Sequence, residues 1–133
     1  MIAVDTNIVV RLLTRDDPQQ FERAEGCFTE VEVFIPDSVL LETAWVLESV
    51  YSFSEAQIVT ALRKLLGLPN VRLSESGTVA LALEWYGRGL DFADAIHLAM
   101  SQHVDEFRTF DRGFVSHAAG LGSCRVLEPP PQR

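Results

Sequence analysis

The sequence predicts an α/β protein: a three-layer α/β/α sandwich around a central, mainly parallel sheet of four to five strands. Three observations carry that expectation. Short runs rich in β-branched or aromatic residues ("MIAV", "VEVFIP", "VRLS", "EFRTF" and "SCRVLE") alternate with longer stretches whose apolar residues recur at helical spacing. Such alternation implies parallel strands with helices on both faces. The chain has 133 residues, 47% hydrophobic and 23% charged, enough for one core of ordinary composition. We therefore expect a single domain over residues 1–128, followed by a proline-rich tail at 129–133.

Each element has a local reason. "MIAV" reads as a buried strand. "TNIVVRLLTRDD" reads as a helix ended by polar residues before Pro18. In "DPQQFERAEGCF", Asp17 caps a second helix and Pro18 suits its first turn. "VEVFIP" is a strand stopped at Pro36. Residues 37 to about 51 form a long helix capped by Asp37 or Ser38, with Val39, Leu40, Thr43, Val46, Leu47 and Val50 marking the period. "SEAQIVTALRKLLGL" is a helix from its cap Ser54 to Gly67. After "VRLS", "SESGTVALALEWYGRG" is helical up to the Gly87–Gly89 region. "DFADAIHLAMSQH" is another helix, "EFRTF" a strand, "DRGFVSHAAG" a short helix and "SCRVLE" a last strand. Trp45 and Trp85 sit in apolar helical stripes and read as core or dimer contacts.

The composition excludes several classes. No apolar run approaches the roughly 20 residues of a membrane span, and "MIAVDTN" does not read as a signal peptide. Cys27 and Cys124 cannot build a disulfide framework, and neither has a CxxC partner, so a reducing cytoplasm is expected. The net charge of −8 gives no global pull on nucleic acid. Any RNA or DNA contact must rely on local arginines and cations, and the basic residues are ten arginines and Lys64.

In a parallel sheet, ligand sites lie beyond the carboxyl ends of the strands. Asp5 directly follows the first strand and Asp111 directly follows "EFRTF". Asp94 lies in the first turn of the helix before "EFRTF", and Glu42 lies within the helix after "VEVFIP". Each has an ordinary explanation: Asp5, Asp91 and Asp111 can cap helices, and Glu42 can face solvent. Glu42, however, has nearly all apolar neighbours in "SVLLETAWVL", so a partner is expected for it. Carboxylates gathered at one sheet edge would repel and hold their protons unless a cation neutralised them. A hard divalent ion with oxygen ligands does so.

With "AVDTN" at 3–7, Glu42, "DFADAIHLA" at 91–99 and "TFD" at 109–111, the chain resembles the PIN-domain nucleases, and more narrowly the VapC-type toxins of toxin–antitoxin pairs. The resemblance implies a metal-dependent endoribonuclease that cleaves RNA phosphodiester bonds with metal-activated water held by an acidic quartet. It assigns Asp5, Glu42, Asp94 and Asp111 to Mg²⁺ or Mn²⁺. Asp91 is a helix cap first and an auxiliary ligand second. Thr6, Asn7 and Thr109 match polar residues that orient carboxylates or water. Arg11, Arg15 and Arg112 are candidates for RNA or antitoxin contact. His97 reads as a packed helix histidine. The implied partners are a VapB-type antitoxin, an RNA substrate (tRNA, rRNA or mRNA) and a second copy of the chain as a homodimer, all in the cytoplasm and away from membranes.

Three rivals remain in view. A receiver-like signalling domain needs a lysine after its last strand, and Lys64 lies mid-helix. A haloacid-dehalogenase-type phosphatase needs DxDx[TV], and Asn7 replaces its second aspartate. A catalytically silent PIN-like domain would bind RNA or a partner without cutting.

Overall fold

The computed structural model describes residues 1–29 and 31–132. The last residue of the expected proline-rich tail, Arg133, lies outside the described residues. The chain forms two compact units, Met1–Ser76 and Gly77–Arg133.

The first unit holds a parallel three-stranded sheet in the order β1 (Ile2–Ala3), β2 (Val33–Phe34), β3 (Val71–Arg72). Around it run α1 (Thr6–Thr14), α2 (Pro18–Cys27), α3 (Asp37–Ser49) and α4 (Glu55–Leu66). Helix α1 packs on α2 and α3, and α4 packs on α3 and β3. Val9, Val33, Ile35, Leu40, Leu47, Ile58 and Leu62 are fully buried here. Asp17 caps α2 by accepting a hydrogen bond from the Gln20 amide at 3.0 Å. Ser54 and Gln57 close a reciprocal capping box on α4.

The second unit contains α5 (Ser76–Gly87, whose first residue belongs to the first unit), α6 (Phe92–Ala99), β4 (Glu106–Arg108), α7 (Arg112–His117) and β5 (Arg125–Leu127). Strands β4 and β5 pair in parallel, and α7 packs on β5. Gly89, with φ of +107°, lets the chain turn between α5 and α6.

The mixed α/β class with parallel strands is as expected, and all five strands are present. Among the described residues they pair as β1–β2–β3 and as β4–β5, in parallel throughout. The strands are also shorter than the apolar runs that announced them. Caps and turns take the ends of those runs: Asp5 already caps α1 and Pro36 opens α3. Two expectations are corrected. In β1, Ile2 and Ala3 are exposed and only the following Val4 is buried, because β1 is the edge of its sheet. Neither Asp37 nor Ser38 caps α3; Pro36 holds that position without a side-chain bond, and Asp37 lies in the first turn. Of the two tryptophans read as core or dimer contacts, Trp85 is core at 4% exposed, whereas Trp45 is 64% exposed.

Candidate functional site

Each unit carries part of the acidic set. In the first, a pocket of about 350 Å³ is lined by Asp5, Thr6, Asn7, Arg11, Glu42 and Tyr51, with Val10, Val46 and Val50 as its apolar wall. Asp5 reaches it as the N-cap of α1, its Oδ1 accepting from the Thr6 amide at 2.7 Å. Among the described residues its other oxygen accepts no hydrogen bond. Glu42 reaches it from α3. It is exposed and, among the described residues, makes no hydrogen bond or ion pair, so the partner expected for it within the chain is not there. Its apolar neighbours in sequence do not bury it, because Thr43 turns inward around the helix and Glu42 takes the open side. Thr6 is buried, and its Oγ1 has no partner.

Arg11 is fixed at the edge of this pocket. Its Nη1 donates to the Tyr51 hydroxyl at 2.8 Å and to Asp16 Oδ1 at 3.2 Å, and its Nε donates to Gln20 Oε1 at 2.5 Å. The Tyr51 hydroxyl in turn donates to Asp16 Oδ2 at 2.7 Å. Tyr51's bond holds the guanidinium more firmly protonated than usual, with the charge of Asp16 adding to it. Hydrogen bonds from Tyr51 and Thr14 hold the Asp16 carboxyl below its ordinary value. Tyr51 and Asp16 were not singled out from the sequence. The signal was weak: Asp16 reads as the polar end of a helix, and its link to Tyr51 spans 35 residues.

In the second unit, Asp91 caps α6, its Oδ2 3.3 Å from the Asp94 amide. Asp111 caps α7, accepting from the Phe114 amide at 3.0 Å. Thr109 accepts from the Asp111 amide at 3.0 Å and so sets the backbone that carries this carboxylate. Gly113 leaves room for it: a Cβ there would stand 3.2 Å from Asp111 Oδ1. Asp94 is half-buried and makes no side-chain hydrogen bond among the described residues. Desolvation first, then the charges of Asp91 and Asp111, push its carboxyl above the usual range, against a smaller opposing effect of His97. His97 stacks on Phe107, with ring centroids 6.1 Å apart.

The three candidate arginines differ. Arg11 lines the Asp5–Glu42 pocket. Arg15 lies over the Phe21 ring, 4.7 Å from its centroid, and faces a separate apolar groove of the first unit. Arg112 is highly exposed and pairs with Glu128 at 3.1 Å.

Among the described residues no three His, Cys, Asp or Glu side chains form a group that could hold a metal ion as they stand. The donor chemistry nevertheless fits a hard divalent cation in kind. All candidates are carboxylate, hydroxyl or amide oxygens, and Asp94 carries an uncompensated charge that a cation would relieve.

The family model for the PIN domain matches residues 2–120, and the chain belongs to that family. Among solved structures, the Mycobacterium tuberculosis toxin VapC20, described as cleaving the sarcin–ricin loop, is 25% identical over 94% of this chain and 99% of its own, with a TM-score of 0.41. No curated protein matches.

Proposed function

We propose that this chain is a metal-dependent endoribonuclease acting as the toxin of a type II toxin–antitoxin pair, and that residues 1–128 work as one nuclease domain. The observation that carries the reading is the place of Asp94: a half-buried carboxyl, raised by desolvation first and then by its acidic neighbours, and left without a hydrogen bond among the described residues, on the helix that follows the cap Asp91. A structural aspartate would be expected to find a donor. Asp5 and Glu42 add two carboxylates without an ion pair among the described residues, in a pocket that Thr6, whose hydroxyl has no partner, also lines.

On this reading Asp5, Glu42, Asp94 and Asp111 are the ligands of Mg²⁺ or Mn²⁺, with Asp91 an auxiliary one. A divalent cation, when bound, lowers the pKa of water and offsets charge on the leaving oxygen. Thr109 keeps Asp111 oriented, Thr6 and Asn7 place hydrogen-bonding groups beside Asp5, and Arg11 offers a fixed cation to an RNA phosphate. Arg112 is free to swing from its exposed pairing with Glu128, since such a surface pair is weak. The partner would be a VapB-type antitoxin. The first unit has a seat for its apolar segment, a groove of about 810 Å³ walled by Leu12, Leu13, Phe21, Phe28 and Leu65, with Arg15 and Lys64 for acidic flanks. Trp45 and Val50, both exposed on or just after α3, suit a homodimer contact. Among the described residues no helix is long and apolar enough to cross a membrane, and the proposed setting is the cytoplasm.

The test is cleavage of tRNA, rRNA or mRNA by the purified chain. Activity should require Mg²⁺ or Mn²⁺ and stop with chelator. Asp5→Asn and Asp94→Asn should each reduce it on the order of 100-fold or more, and the double variant should lose little beyond either single one, as expected for groups acting as a unit. Wild-type rates in either variant, or losses that simply multiply, would refute the one-centre assignment. RNA binding without products would favour the silent binding domain.

A further inference from the structure

A second groove lies alongside the Asp5–Glu42 pocket in the first unit. It measures about 510 Å³ and is lined by Asn7, Ile8, Arg11, Gln20, Arg23 and Cys27, with Ala24 at its base. Asn7 and Arg11 line both cavities, so the two are neighbours. The polar side chains are two guanidiniums and two amides, and no carboxylate is among the lining residues. That is exceptional in a chain with 19 acidic and 11 basic residues.

The arginines of this groove are not fully paired, and Arg23 shares the lack of an ion pair with Arg15 and Arg63 among the described residues. Arg72, Arg88, Arg108, Arg112 and Arg125 each bond a carboxylate on the surface. Arg23 is exposed and, among the described residues, has no ion pair. Arg11 has one, but Tyr51, Asp16 and Gln20 engage only its Nη1 and Nε, leaving Nη2 without a hydrogen bond among the described residues. One helical register separates the groove's uses: Asn7, Ile8 and Arg11 share a face of α1, and Gln20, Arg23 and Cys27 share a face of α2. The two helices thus present hydrogen-bond donors to a groove that neighbours the Asp5–Glu42 pocket.

We propose that this trough is a phosphate-binding track for single-stranded RNA, holding the strand that flanks the bond to be cut, with Arg23 as its outer phosphate contact and Arg11 as its inner one. The inference rests on the nuclease reading for the word "cut", but not for the binding itself. Guanidiniums match phosphate bidentately, and amides accept or donate to sugar and base edges as needed. The track supplies locally what the net charge of −8 denies globally.

The experiment measures binding of a fluorescein-labelled single-stranded RNA by fluorescence anisotropy against salt, in the Asp5→Asn chain with Mg²⁺ present so that the probe survives. Arg23→Gln should weaken binding several-fold, to the same extent for oligo-U and oligo-A. It should also reduce the slope of log K against log salt by about 0.7, the value for one phosphate contact on a single strand. Arg23→Lys should keep the slope. Arg23 is exposed, so folding is not at stake, and circular dichroism checks it. Unchanged affinity and slope in both Arg23→Gln and Arg23→Glu would overturn the track, as would an Asp5→Asn chain that binds no RNA. If the slope changes as expected but the wild-type chain cleaves no RNA with any divalent cation, the track stands and the nuclease reading falls.

Discussion

The two units use the same device, an aspartate at the start of a helix, to different ends. In the first, Asp5 and Asp17 cap α1 and α2. Asp17 does nothing more, whereas Asp5 also lines a pocket with Glu42. In the second, Asp91 and Asp111 cap α6 and α7, and their charges add to desolvation in disfavouring the charged form of Asp94, which caps nothing. A cap satisfies a carboxylate with backbone N–H groups at little cost. The aspartate that remains unsatisfied is the one to suspect of binding something. The neighbourhood of Arg11 shows the opposite solution, in which a charge is held by three side-chain partners and set in place.

That contrast can be broken or sharpened experimentally. The largest effect we expect in the second unit after loss of a carboxylate itself is from Thr109→Ala. Removing the acceptor for the Asp111 amide should lower cleavage about 10- to 100-fold while leaving the fold intact. A wild-type rate would mean that α7 alone orients Asp111. Next, Asp17→Ala should cost about 1 kcal/mol of stability, read as a lower urea midpoint, and leave kcat unchanged, because Asp17 is a cap and no more. A fall in kcat with stability preserved would erase the distinction between the two caps of the first unit.

The smallest effect concerns Asp94→Asn without metal. The folded state binds this proton more tightly than the unfolded chain does. Stability from Asp94 is therefore full below the ordinary aspartate pKa and is lost as pH rises through the raised folded value. Asn imitates the protonated form. The variant should melt a few degrees higher than wild type at pH 7 and at the same temperature in acid, below the ordinary carboxyl range. Adding Mg²⁺ or Mn²⁺ at pH 7 should raise the wild-type melting temperature and the variant's much less. A variant that melts lower than wild type at pH 7 would show that Asp94 is a structural group.

How far these features could be read in advance depended on their range. The caps at Asp17, Ser54, Asp91 and Asp111 were all anticipated, because each is a bond between residues three apart and needs no tertiary partner. The Asp37 or Ser38 cap was misplaced by one or two residues, since Pro36 already sets the backbone that begins α3. Trp45 and Trp85 sit in equally apolar stripes, yet one is exposed and the other buried. Helical period identifies a face but not what covers it. Arg15 was named beside Arg11 as a candidate for RNA or antitoxin contact; α1 ends at Arg15, with φ +56°, and its guanidinium lies over the Phe21 ring, a contact between two helices that spacing does not reveal.

By itself, then, the sequence determined the α/β class, the order of helices and strands, most of the caps and the identity of the acidic residues, because these follow from periodicity and from hydrogen bonds a few residues long. Only the tertiary structure decided how the strands are shared between sheets. It also decided that Glu42 looks into a pocket with Asp5, that Tyr51 locks Arg11 across 40 residues, and that α1 and α2 enclose a carboxylate-free trough. Those outcomes depend on which distant surfaces exclude water together, and local propensity carries no record of that choice.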